Sequence, residues 1–141
     1  ADPPPDPIGP PLYEHHAAWA PVQNTLYGDV SDLTIQLLSH DGELEVIATL
    51  RPETAATLES EFEAIAHGAS IGEFDLGCLS FLDIDQVVLH VPTQRSLLTF
   101  GYPWFCPPTG LVTIDEILRD VVIAMQDCSP SPHLTSCEVV D

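Results

Sequence analysis

Gly110–Cys128 reads GLVTIDEILRDVVIAMQDC, and this is the stretch in which every local rule for an amphipathic helix agrees. Thr113 stands where an N-cap belongs and Glu116 follows three positions later, the spacing of a capping box in which each side chain takes a backbone N–H that the first turn leaves unpaired. Val112 and Ile117 sit where a hydrophobic staple would fix the entry of the chain. Ile114, Ile117, Leu118, Val121, Val122 and Met125 form a continuous apolar stripe at helical spacing. Asp115 and Asp120 are expected off that stripe, and Asp115 and Glu116 suit the positive end of the helix dipole. Such a helix is marginal alone in water. Something upstream must cover it.

Upstream, Leu33-Thr34-Ile35-Gln36-Leu37 and Leu44 to Leu50 alternate apolar with polar around Asp41-Gly42, predicting strands at 33–38 and 43–50 joined by a tight hairpin, with Glu43 and Glu45 on the wet face. Pro52 opens a helix at the position where its missing N–H costs nothing. Ala55, Leu58, Phe62, Ile65 and Ala69 mark its buried side and Gly68 its end. Strands are expected again at Phe74–Leu79 or Phe81, at Asp85–Val91 and at Ser96–Tyr102, the last two joined through Pro92-Thr93-Gln94-Arg95. The order ββαβββα predicts an α+β domain over residues 13–128: a single, mainly antiparallel sheet of about five strands packed by two amphipathic helices. In element order alone this resembles profilin-like and longin-like layers. Residues 1–12, ADPPPDPIGPPL, hold six prolines and read as an extended arm, and residues 129–141 read as a polar tail. The phrase VTIDEIL, shortly after Pro103-Trp104, resembles the close of an uncharacterised family of basidiomycete fungal proteins. That resemblance implies no activity.

Charge narrows the partners. The chain carries 22 acidic residues against three arginines, Arg51, Arg95 and Arg119, has no lysine, and holds a formal charge of −19. Nucleic acid and anionic membrane are therefore not expected as partners, because binding phosphates needs cations to displace their counterions. Basic proteins would be attracted. No run of apolar residues is long enough for a transmembrane helix. Ala1-Asp2-Pro3 suits a cleavage or cloning remnant, and a secreted location is slightly favoured over a cytoplasmic one. Cys78, Cys106, Cys128 and Cys137 contain no CxxC pair, and two disulfides in a secreted protein fit them as well as four buried thiols in a cytosolic one; as disulfide candidates, 128–137 and 78–106 are favoured among three possible connectivities.

Chemistry is thinly marked. His15 and His16 beside Glu14 are weak metal candidates, since imidazole and carboxylate suit zinc, but adjacent side chains point apart on a strand or a helix. The cysteines with His90 or His133 match no finger or ribbon spacing. Asp83 and Asp85 would share a face of an extended segment, as a carboxylate pair must, yet surface acids are common in this chain. Ser39-His40-Asp41 are contiguous, whereas a triad needs side chains converging from separate elements. No cofactor motif is present. The most suggestive segment is Tyr102-Pro103-Trp104-Phe105, whose stiff rings are of the kind that anchor interfaces. The expectation is a non-enzymatic acidic interaction module that binds a protein partner or itself through Tyr102, Trp104, Phe105 and Trp19, the charge suiting a basic partner. A small His-dependent hydrolase or metal-binding protein, and a homo-oligomer subunit using the N-terminal arm, are the alternatives.

Overall fold

Thr34–Ser39 and Glu45–Leu50 pair antiparallel across a turn in which Gly42 takes a left-handed φ of 77°, a conformation that glycine adopts without a steric cost. Ser39 and Asp41 do structural work there. The Ser39 hydroxyl donates to Asp41 at 2.6 Å, and the Glu43 N–H donates to the same carboxylate at 3.0 Å. Those two bonds, the first above all, hold the Asp41 carboxyl below its usual range. The contiguous Ser-His-Asp therefore builds a hairpin.

This computed structural model describes residues 6–16, 22–70, 72, 85–104 and 106–140, with the backbone alone of Val22. Among these residues seven strands form one antiparallel sheet: β1 Pro11–His16, β2 Val22–Asp29, β3 Thr34–Ser39, β4 Glu45–Leu50, β5 Gln86–Pro92, β6 Leu97–Pro103 and β7 Leu134–Val139, in the order β6-β5-β1-β2-β3-β4-β7. Two helices, α1 Pro52–Ala66 and α2 Val112–Met125, complete it. The class agrees with the sequence reading, but the described residues hold seven strands rather than about five. β1 was hidden because Pro10-Pro11 and its histidines mask the alternation, β2 because Gly28 interrupts it. β7 lies in the expected polar tail, and Leu134–Val139 carries few apolar residues, as an edge strand does. The expected strand at 74–79 or 81 lies outside the described residues.

Topology follows from the connections. The first four strands are neighbours, α1 carries the chain past them so that β5 pairs with β1, and α2 carries it back so that β7 closes the far edge beside β4. The inward set is nearly continuous: Leu26, Ile35, Leu37, Val46, Ala48, Leu50, Val87, Leu89 and Val91 join Ala55, Leu58, Phe62, Ile114, Leu118, Val121 and Met125 in one core. Each buried aliphatic side chain removed from water stabilises the fold by about 1.5–3 kcal/mol. The apolar stripe of α2 is thus covered, as its marginal stability alone requires.

Two details of α2 differ from the sequence reading. Its N-cap position is Leu111 and no side chain caps it, so the Thr113–Glu116 box does not form. A 3-10 turn, Thr109–Leu111, runs straight into the helix and its backbone bonds take the first free N–H groups, Leu111 donating to Pro108 at 2.9 Å. Asp115 is not on the wet side either. It is 2% exposed.

In α1, Pro52 occupies the first turn as expected, and the helix ends before Gly68 with Ala69 exposed. From Ile8 onward the N-terminal arm lies on the sheet: the Ile8 N–H donates to Gln36 at 3.0 Å and Gly28 N–H to the Pro10 carbonyl at 3.0 Å. Gly9 permits the close approach, since a Cβ there would stand 3.0 Å from the Gly28 Cα.

Candidate functional site

The centre of the site is the buried carboxylate of Asp115. A bare charge there would be costly, and three groups satisfy it. The Tyr102 hydroxyl donates to Oδ1 at 2.7 Å, the Tyr13 hydroxyl to the same atom at 3.3 Å, and Arg119, one turn along α2, reaches Oδ2 at 2.8 Å. Tyr13 comes from β1 and Tyr102 from β6, so one carboxylate fixes α2 over two separate strands. Burial first, and the Asp115 charge second, push the Tyr13 hydroxyl up to about 12. The same causes raise Tyr102 further. Arg119 goes up as well: burial alone would lower it, but the Tyr13 hydroxyl and Asp115 outweigh that.

Arg119 also positions Trp104. Its Nη2 donates to the Trp104 carbonyl oxygen, and the guanidinium carbon lies 5.3 Å from the centre of the indole ring, within reach of a cation–π contact. On the other side the Trp104 N–H donates to the Asp85 carbonyl at 3.0 Å. The backbone is therefore held from two directions while the ring stays 43% exposed. Ile123, exposed by 60%, stands one helical turn beyond Arg119.

Between them runs a groove of about 280 Å³ lined by Tyr13, His15, Val87, Trp104, Arg119 and Ile123, with Asp85, Val122 and Gln126 completing its walls. Its lining is largely aliphatic and aromatic, with His15 Nε2 lying 2.8 Å from Asp85 Oδ2 at one end. A wider hollow of about 990 Å³ lies between α1 and the β5–β6 turn, among Glu59, Glu63, Thr93 and Arg95. Its lining mixes charged and apolar groups in nearly equal share, whereas the groove is predominantly apolar, which makes the hollow the weaker candidate despite its size.

His15 and His16 point to opposite faces of the sheet, as adjacent residues of a strand must. His15 lines the groove; His16 Nε2 lies 3.4 Å from Glu14 Oε1, and His90 Nε2 meets the other oxygen of Glu14 while its Nδ1 lies 3.1 Å from the Thr99 hydroxyl. Among the described residues no group of three or more His, Cys, Asp or Glu is arranged to hold a metal ion.

Of the residues expected to face a partner, Trp104 is at the surface and Tyr102 is not: at 1% exposure its ring and hydroxyl serve the interior. Trp19 and Phe105 lie outside the described residues, as do Cys78 and Asp83. Cys128 and Cys137 are joined, their Cα atoms 5.5 Å apart, and Cys106 is disulfide-bonded as well. Sequence reasoning missed Arg119 and Ile123. The signal for Arg119 was present, since it stands four residues after Asp115 on the only basic turn of an acidic helix. Ile123 carried none, because one apolar residue off the stripe is unremarkable.

No protein-family profile matches the chain, and neither any curated protein nor any solved structure does. Among the described residues no helix is long and apolar enough to cross a membrane.

Proposed function

We propose that the protein is a non-enzymatic interaction module whose docking site is the groove between α2 and strands β1 and β5. The observation that carries this reading is Trp104. A tryptophan held by both of its backbone polar groups, backed by a guanidinium and left open beside an exposed isoleucine is preorganised as an anchor, and anchors of this kind dominate interface energetics. Within this reading the disulfides favour a secreted setting, because such bonds persist in oxidising compartments.

Affinity capture from an extract of the source, with immobilised wild type, Trp104→Ala, Ile123→Ser and Glu53→Gln, tests it. A partner retained by wild type and Glu53→Gln but lost by the two groove variants is the expected result. Equal retention by all four would remove the groove from the account.

One observation favours a second reading. His15 and Asp85 make a close pair at the groove end, and an imidazole so placed can act as a general base worth about 100-fold or more in rate. A small hydrolase built on it would turn over p-nitrophenyl acetate and lose that activity in His15→Ala. Turnover no faster than buffer would exclude hydrolysis of this activated ester.

A further inference from the structure

The groove's size and rim say what it takes. At about 280 Å³ it stands at the small end of ligand clefts, which run to roughly 300–1,000 Å³. It offers room for one large apolar side chain. Its floor and walls, Val87, Val122, Ile123 and the Trp104 ring, are suited to an aliphatic or aromatic group.

The rim is acidic. Residues three and four apart are neighbours on a helix surface, so Ile123 is bordered by Arg119, Asp120, Gln126 and Asp127, and Arg119 in turn by Glu116. Glu116, Asp120 and Asp127 are all exposed. The only cation among them, Arg119, already faces Asp115. Asp120 Oδ2 accepts from the Ser131 hydroxyl at 2.9 Å with His133 Nε2 3.9 Å away, and Asp127 accepts from the Ser129 N–H at 3.2 Å, so what a partner meets beside the apolar slot is an excess of negative charge, on a chain whose formal charge is −19.

Building on the docking reading above, we infer that the occupant is a cationic peptide segment that inserts one apolar anchor side chain between Trp104 and Ile123 and lays lysines or arginines over Glu116, Asp120 and Asp127. The anchor supplies the residence time and the flanking cations the rate of encounter. An anionic segment would meet the same slot inside a repulsive field, and a purely polar cationic segment would be attracted without being held.

A peptide array separates these terms. Hexamers with a fixed central Leu, Phe, Trp or Ser, each flanked by all-Lys, all-Ser or all-Glu residues, are titrated against wild type, Ile123→Ser, Trp104→Ala and Glu116→Gln/Asp120→Asn/Asp127→Asn. The expected result is binding that needs both an apolar centre and Lys flanks, falls at least tenfold in Ile123→Ser and Trp104→Ala, and falls severalfold in the triple variant at low salt. Ser- or Glu-flanked peptides binding equally well, with loss in the groove variants, would leave the groove as a docking site and overturn the cationic class. Lys-flanked peptides binding regardless of their centre, and equally to the groove variants, would overturn both. So would an array that binds nowhere.

Discussion

Asp115 joins the stability of the fold to the geometry of the proposed docking groove. It neutralises Arg119, accepts from two tyrosines on different strands and, through Arg119, sets the Trp104 ring. Removing its charge strands a guanidinium against a half-buried wall. Breaking a buried pair costs about 3–5 kcal/mol. Arg119 keeps an outlet to solvent, so Asp115→Asn is expected to lose about 3 kcal/mol, the lower end of that range, in urea unfolding. Tyr102→Phe, which removes one bond to a charged acceptor, should lose about 1.5 kcal/mol. A loss in Asp115→Asn no larger than in Tyr102→Phe would show that the carboxylate is not the hub. Tyr13 gives a pH test of the same hub. Its hydroxyl is raised from 10.0 to about 12 in the fold, so the folded state holds this proton more tightly than the unfolded chain does. The contribution is complete below pH 10 and is lost as pH rises from about 10 through 12, by roughly 2–3 kcal/mol. Unfolding midpoints followed from pH 9 to 12 should fall less steeply in Tyr13→Phe than in wild type. Parallel curves would contradict the assignment.

At the scale of elements, α2 and β7 form one unit. The helix ends where Cys128 takes a left-handed φ of 54° and the Ser129 N–H returns to the Ala124 carbonyl at 2.9 Å, a Schellman-type closure with cysteine in the place glycine usually fills. The bond from Cys128 to Cys137, nine residues on, then ties that helix end to the outer strand. Closing a loop of this length is worth about 2–3 kcal/mol. A Cys128→Ser/Cys137→Ser variant should lose that much, and the amides of Leu134–Val139 should exchange faster while those of β3 keep their protection. Uniform loss of protection across the sheet would mean that β7 does not open separately. These elements also show what could be read from the chain. The β3–β4 hairpin, α1, α2, β5 and β6 were legible because Asp41-Gly42, Pro52 and the aliphatic spacings act locally. β1, β2 and β7 were not, because their pairing is decided by neighbours far away in sequence: Tyr13 beside Leu89, Leu134 beside Leu50. The groove was half legible for the same reason. Trp104 announced itself, but its companions Arg119, Ile123 and His15 come together only when α2 crosses the sheet.

At the scale of the molecule, the charge and the groove must be told apart. A chain at −19 attracts any cation at low ionic strength, and that attraction weakens as salt shortens its range. The acids are spread widely, since α1 exposes Glu53, Glu59 and Glu63, the last two beside a hollow whose one phenylalanine, Phe62, is buried. If charge alone chose the binding site, α1 would compete on equal terms with α2. Under the proposed docking function it does not, because among the described residues the groove is where charge meets a preorganised apolar anchor. The most direct measurement is therefore a two-dimensional ¹⁵N–¹H map of the protein titrated with a Lys-flanked, Leu-centred hexamer at 0.15 M salt, about an 8 Å screening length. Shifts confined to the Trp104 indole and to Arg119, Ile123, Gln126 and their neighbours are the predicted result. Shifts of equal size along Pro52–Ala66, or scattered over every acidic face, would contradict it.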